Sequence, residues 1–249
     1  MTKILLCGCL GAMGQAINRV AAASSDCEIA CGFDVAENAN LSFPVYTDLS
    51  KVTEQIDVIV DFSHPTALDG VLEFALRTKT PAVICTTGLT PAQVEQIDRA
   101  AETIPIFYSA NMSIGVSLVM DLCRRAAKTL QGGFDIEIIE KHHNQKVDAP
   151  SGTALAIADA ISTELDSNPN YTYGRDRASG KREKSEIGIH AVRGGTIVGE
   201  HSVIFAGLDE VIKIKHSATS KEVFAAGAVR AAAFMKGKPP GFYNMKNLI

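Results

Sequence analysis

The 249-residue sequence has no Cys-x-x-Cys pair, no excess of basic side chains, no internal repeat and no apolar run near the ~18 residues of a membrane helix. Each absence removes a class of function. The six cysteines, Cys7, Cys9, Cys27, Cys31, Cys85 and Cys123, lack the Cys/His spacings of a zinc site, so no bound metal is expected. Several sit in apolar, strand-like runs, and all read as reduced, buried thiols of a cytoplasmic protein. No membrane span is expected. The chain runs from Met1 straight into a strand-like segment, so no signal peptide is expected either. A net charge of −4 argues against a general nucleic-acid partner.

What is present suits one large or two modest domains, with enough apolar surface to fold without disulfides. Short apolar runs at 3–7, 27–33, 57–62, 82–85 and 104–108 read as buried parallel strands, with helical patterns at 15–23 and 67–77. Thr90-Pro91-Ala92-Gln93 reads as a helix start, with Thr90 as N-cap, Pro91 at N1 and Gln93 at N3. This alternation predicts an α/β fold, a Rossmann-type doubly wound parallel sheet. After residue 111 the pattern changes. Residues 114–130 read as a long amphipathic helix, 134–140 as a strand, 151–165 as a helix and 166–184 as a long polar loop. Strands at 186–193, 197–205 and 210–216 follow, separated by turns at 194–195 and 207–209, which implies antiparallel pairing of neighbours. An Ala-rich helix at 221–235 closes the pattern before the 241–249 tail. Chain order suggests that this helix returns to the first domain. A smaller α+β domain with a mixed sheet, residues 113–216, is then an insertion into a dinucleotide-binding domain of residues 1–112 and 217–249, and the two crossings form a hinge.

Gly8, Gly11 and Gly14 lie between a strand and a helix, where a tight turn can bring backbone N–H groups against a pyrophosphate. The spacing is GxxGxxG, with Leu10 where the usual fingerprint has its second glycine. Asp34 ends the next strand twenty residues after Gly14, where an acid hydrogen-bonds a ribose. The next residues, Val35, Ala36 and Glu37, carry no positive charge for a 2′-phosphate, so NADH should bind at least as well as NADPH. Cys85-Thr86-Thr87-Gly88 and Ser109-Ala110-Asn111-Met112 follow later strand ends, where ligands of such sheets lie. Either loop has the plainer reading of a turn, and Asn111 that of a helix cap.

The densest chemistry is at 140–154, EKHHNQKVDAPSGTA. Adjacent residues in a loop can point apart, so His142 and His143 can have separate tasks; the plainer reading is one buried and one exposed imidazole. Lys146 alone reads as a solvated lysine, and Ser151-Gly152-Thr153 alone as a helix N-cap. Together they suggest an anion pocket with an acid beside it.

This stretch resembles the dihydrodipicolinate reductases (4-hydroxy-tetrahydrodipicolinate reductases) of the diaminopimelate–lysine pathway. The resemblance runs the length of the chain, through the glycine loop, Asp61-Phe62-Ser63, Thr86-Thr87-Gly88, Ser109–Ser113, Arg193-Gly194-Gly195, Gly199-Glu200-His201 and Gly227–Arg230. It implies NAD(P)H-dependent reduction of a cyclic imine dicarboxylate, with hydride added at C4. His142 matches the family's proton donor and Lys146 its second catalytic residue. His143, Lys146, Gly152 and Thr153 match substrate-binding positions, with Ser151 adjacent. The cofactor site maps to Gly8, Cys9, Leu10, Gly11, Ala12, Met13, Asp34, Cys85, Thr86, Thr87, Ser109, Ala110, Asn111 and Met112. A homotetramer built through the second domain's sheet is implied. Two departures stand out: Cys85 where the family often has glycine, and Val35 where many members carry a basic residue. The expected cofactor is therefore NADH by preference, with NADPH usable. The nearest rival is another two-domain dehydrogenase acting on aspartate or an amino-acid semialdehyde, which would not need His-His-x-x-Lys with Ser-Gly-Thr. A nucleotide sensor without turnover is a more distant one.

Overall fold

The computed structural model describes residues 1–37 and 40–249. In chain order its strands are β1 (Thr2–Cys7), β2 (Cys27–Phe33), β3 (Val45–Tyr46), β4 (Val58–Asp61), β5 (Ala82–Ile84), β6 (Pro105–Tyr108), β7 (Asp135–His142), β8 (Asn170–Tyr173), β9 (Glu186–Arg193), β10 (Gly199–Ala206), β11 (Val211–Ala218) and β12 (Gly241–Tyr243). The α-helices are α1 (Ala12–Ala22), α2 (Leu68–Thr78), α3 (Pro91–Ala101), α4 (Ile114–Leu130), α5 (Gly152–Ser162) and α6 (Glu222–Met235). They form two compact units: Met1–Ile114 with Lys221–Ile249, and Gly115–Ser220.

In the first unit seven parallel strands lie in the order β12-β6-β5-β4-β1-β2-β3. The sheet is buried on both faces, which explains its near-continuous apolar strands. Ile4 and Leu6 of β1 point into a cluster with Ile17 of α1 and Ala228 and Ala232 of α6. Leu5 and Cys7, alternating to the other face, join Val71 and Phe74 of α2 and Ile97 of α3. α3 starts on the expected capping box: the Thr90 hydroxyl accepts from Gln93 N–H, and Gln93 reaches back to Thr90 N–H. The strand order reverses between β1 and β4, a switch point where doubly wound sheets bind ligands.

In the second unit five strands lie in the order β11-β10-β7-β9-β8. One face of this mixed sheet is covered by α4 and α5, which contribute Val119, Cys123, Ala127, Ile157 and Ile161 to a core with Ile138, Ile189, Val203 and Phe205. Three expectations are corrected here. Residues 166–184 are not wholly a loop, because β8 pairs parallel to β9 at the sheet edge. The strands on either side of Gly194-Gly195 are not a hairpin: β7 lies between them, parallel to β9 and antiparallel to β10. Only β10 and β11 pair antiparallel as sequence neighbours. Finally, β7 runs on through His142, so this imidazole is held by a strand rather than a loop. No helix among the described residues is long and apolar enough to cross a membrane.

Candidate active site

In the first unit the glycines meet real steric limits at two positions. Gly8 leaves β1 with φ +76°, and a Cβ there would lie 2.6 Å from the Phe62 carbonyl oxygen. A Cβ on Gly14 would strike the Gly8 carbonyl and the Cys9 backbone. The first turn of α1 is thereby pulled against the turn that follows β1. Gly11 is the N-cap and offers no side chain to the first-turn N–H groups, so they suit an anion. Asp34 accepts from Leu10 N–H at 2.8 Å through one oxygen and from Val35 N–H at 2.8 Å through the other. The same carboxylate therefore braces the glycine loop and stands where a ribose acid is expected.

The other expected cofactor residues divide by whether their side chains face outward. Cys9 is buried against Gly32, and burial first, then Asp34, pushes its thiol up to about 11. Cys85 is also buried, its thiol raised by burial first and by Asp61. These two can offer a ligand backbone groups only. Ala12 and Thr87 are exposed, and Leu10 and Met13 half-buried. Thr86 turns its hydroxyl inward to Asp61 at 2.7 Å. Ser109 donates to the Asn111 carbonyl at 2.7 Å, and the Asn111 side chain accepts from Ser113 N–H at 2.9 Å. Asn111 thus serves the turn into α4, Ala110 is exposed and Met112 is buried.

The second unit gathers its chemistry where the end of β7 meets the start of α5. Alternate residues of β7, Ile136, Ile138, Glu140 and His142, face the covering helices. The first two are core; the last two continue that face as polar groups. Glu140 is fully buried and accepts four hydrogen bonds. One oxygen takes Ser151 N–H at 3.0 Å and Arg193 Nη2 at 2.7 Å; the other takes His142 Nδ1 at 2.6 Å and Arg193 Nη1 at 2.7 Å. Burial pushes this carboxyl up, but Arg193, His142 and Ser151 outweigh it and hold it below its ordinary range.

His201 lies opposite Glu140 on β10, its ring edge-on to His142 with centroids 5.2 Å apart. Burial first, then the His142 charge, hold its pKa down to about 4. Its Nε2 is 2.9 Å from the Ser151 hydroxyl, which also accepts from Ala154 N–H. That N-cap bond uses one of the hydroxyl's two acceptor positions, and the same hydroxyl meets His201. Ser151 is spent on building this corner. Gly152 is exposed, with open space where a Cβ would point, and Thr153 and His143 are half-buried. Lys146 Nζ pairs with Asp148 at 2.7 Å, and Arg193 Nη2 donates to the Asp148 carbonyl at 2.6 Å. The Asp148 carboxyl is held below its ordinary value by Lys146 first, with a smaller contribution from Gly152 N–H. A carboxylate thus already sits against Lys146 and the start of α5.

Sequence reasoning picked out His142, Lys146 and Ser151 but gave no role to Glu140, Arg193, His201 or Asp61. The available clue was the alternation of β7, which places a glutamate on the same face as two core isoleucines. Among the described residues no group of three or more His, Cys, Asp or Glu side chains is arranged to hold a metal ion. The groove of about 520 Å³ between α1 and α6, lined by Arg19, Glu222 and Arg230 among others, holds none of the residues above.

Comparison with known proteins agrees in both halves. Residues 2–112 match the family model described as dihydrodipicolinate reductase, N-terminus, and 115–249 the one described as dihydrodipicolinate reductase, C-terminus. The chain is similar to 4-hydroxy-tetrahydrodipicolinate reductase of Clostridium tetani (strain Massachusetts / E88), 50% identical over 98% of this chain and 96% of that protein. It is also 50% identical to the reductase of the same name from Caldanaerobacter subterraneus subsp. tengcongensis, over 100% of this chain and 98% of that one. Among solved structures, a dipicolinate-bound dihydrodipicolinate reductase from Paenisporosarcina sp. TG-14 superposes over the whole of both chains with a TM-score of 0.84 and 26% identity.

Proposed function

We propose a division of labour among these residues from one premise: the chain belongs to the dihydrodipicolinate reductase family, and its activity is that of an NAD(P)H-dependent 4-hydroxy-tetrahydrodipicolinate reductase. The first unit holds the cofactor. Its fit rests on the Gly8–Gly14 turn, which leaves no room for a Cβ, and on the uncapped first turn of α1. Gly8 to Met13 would hold the pyrophosphate, Asp34 would accept from the adenosine ribose, and Cys85–Thr87 and Ser109–Met112 would serve the nicotinamide side. When bound, NAD(P)H supplies the hydride taken up at C4 of the substrate ring.

The second unit holds a cyclic dicarboxylate. Lys146, His143 and the start of α5 at Gly152 and Thr153 bind a substrate carboxylate, and Ser151 shapes that start from beneath. As the ring gains hydride, charge moves toward its nitrogen. Lys146 opposes that charge, and His142 delivers a proton as the enamine collapses. General acid help of this kind is worth roughly 10²- to 10⁴-fold. The observation that supports this reading is the Lys146–Asp148 ion pair at 2.7 Å, a few residues from His142, in which this cation already holds a carboxylate. NADH is the preferred cofactor and NADPH a usable one, because Asp34 is followed by no cation. The enzyme works in the cytoplasm as a homotetramer assembled through the second unit's sheet, whose face away from α4 and α5 exposes Val192 and Val211.

The test is loss of NADH absorbance when the aldol product of pyruvate and aspartate semialdehyde is supplied. His142→Ala and Lys146→Ala are expected to lower kcat by orders of magnitude while NADH binding stays near wild type. Lys146→Ala is also expected to raise KM, having lost a carboxylate partner. Near-normal turnover in both variants removes the assignment.

A further inference from the structure

We propose that Glu140 is the positioning residue for His142: clamped by Arg193 and by the start of α5, its carboxylate binds Nδ1 of the imidazole and so commits Nε2 to proton delivery. This inference rests on the reading of His142 as the acid.

A buried carboxylate without partners loses several kcal/mol of hydration, so it is kept only where its lone pairs are filled. Glu140 is fully buried and each oxygen accepts two donors, at 2.6 to 3.0 Å. The bidentate guanidinium fixes the plane of the carboxylate. Ser151 N–H fixes it from the helix side. The remaining lone pair can point in one direction only, toward His142 Nδ1. An ionised carboxylate accepts and cannot donate, so the hydrogen lies on Nδ1. His142 then keeps the same orientation in both protonation states: its Nδ1–H remains on Glu140 while Nε2 gains or releases the catalytic proton.

The surroundings support the same division. A Cβ at Gly199 would lie 3.1 Å from His142 Nε2, so glycine on β10 leaves that edge of the ring uncrowded. His201 faces His142 edge-on, with its own Nε2 2.9 Å from the Ser151 hydroxyl. Neutral at working pH, it does not oppose a proton on His142. The charged groups of this corner are Glu140 on the imidazole's own strand, Arg193 on β9, which binds Glu140, and Lys146 and Asp148, which pair with one another in the loop after β7. Glu140 is the only one of them bonded to the ring. Removing its negative charge takes away the bonded partner of the imidazolium.

The experiment uses the full chain. Glu140→Gln is expected to lower kcat about 10- to 100-fold, less than the roughly 10²- to 10⁴-fold that loss of the acid itself costs. KM should stay within about twofold, since the substrate's carboxylate contacts are untouched. The alkaline fall of the kcat profile should move to lower pH, a change that a merely structural lesion does not produce. Glu140→Asp, which restores the charge on a shorter arm, should recover part of kcat and of the profile. If His142→Ala is inactive while Glu140→Gln keeps wild-type kcat and profile, the positioning role is wrong and the acid assignment stands. If His142→Ala keeps turnover, both fall. Should Glu140→Gln not fold, the wild-type protein still decides: imidazole ¹⁵N spectra, with His142 assigned by its loss in His142→Ala, should show Nδ1 carrying the hydrogen in the neutral ring. A neutral ring protonated at Nε2, or an even mixture of the two forms, overturns the proposal.

Discussion

Asp61 closes β4 in the first unit and Glu140 lies near the end of β7 in the second, and neither side chain meets solvent. Asp61 is served by neutral donors only: Ser63 through its N–H and hydroxyl, and Thr86 through its hydroxyl. Burial dominates there, and its carboxyl is raised above the ordinary value. Glu140 meets the same burial but has a guanidinium on both oxygens, and its carboxyl is lowered. Three good hydrogen bonds do not offset desolvation, whereas a bidentate cation does. The first arrangement suits a structural knot at a strand end. The second keeps a permanent negative charge beside an imidazole.

The sharpest way to break this comparison is to remove the cation. Arg193→Ala leaves Glu140 buried without its main partner and is expected to cost about 3–5 kcal/mol, read by urea unfolding. Asp61→Asn should cost about 1 kcal/mol or less. Its carbonyl still accepts from Ser63, and the Thr86 hydroxyl can turn from donor to acceptor. Equal losses in the two variants would show that the cation is not what separates the sites.

Acid titration tests the same point with a smaller effect. Glu140, lowered in the fold from an ordinary value of 4.5, contributes stability that is present above that value and lost as pH falls through its folded one. His201, held at about 4 against an ordinary 6.5, takes up its proton later than the unfolded chain does. Stability should therefore drop as pH falls from 6.5 toward 4, by on the order of 1–3 kcal/mol. Asp61 acts in the opposite sense: its penalty is present at neutral pH and relieved as pH falls below its raised folded value. Urea midpoints across this range should fall less steeply for His201→Gln than for wild type, and parallel curves would rule out a buried neutral His201.

The smallest effect concerns a third carboxylate, exposed enough to touch a ligand. Val35→Arg should move the kcat/KM ratio toward NADPH by about fivefold, the equivalent of ~1 kcal/mol at an exposed edge. Asp34→Ala should weaken both cofactors, because it also frees Leu10 N–H from its brace. If that variant simply exchanges NADH preference for NADPH preference, Asp34 acts on the ribose alone.

The parts of this molecule legible in the sequence are those whose cause is local. Thr90, Pro91 and Gln93 carry the whole N-cap of α3 within four residues, and it forms as expected. The strands of the first sheet announce themselves by apolar runs bounded by turns. β8 does not: it is four residues long, at a sheet edge, and its side chains are exposed or half-buried, so no apolar alternation marks it. The place of β7 between β9 and β10 was equally hidden, since a short glycine turn at 194–195 looks like a hairpin whichever strand lies beside it. In the candidate site His142 and Lys146 stood out by residue type and close spacing. The roles of Glu140, Arg193 and His201 did not, because Arg193 lies 53 residues from Glu140, and only the register of the sheet brings β9 and β10 to it.

The return of α6 to the first unit gives the molecule an order of assembly in time. Synthesis delivers Ile4, Val58, Val83 and Phe107 long before Ala225, Ala228, Ala231, Ala232 and Met235, which share their core cluster. β6 likewise waits for β12, its edge partner. The second unit, by contrast, is continuous in the chain. A growing polypeptide can therefore complete its later unit first, while one flank of the earlier sheet stays apolar and uncovered until the last thirty or so residues emerge. Chaperones would meet this chain chiefly through that flank, and early termination after β11 would leave a product with an intact far face and an adhesive near one.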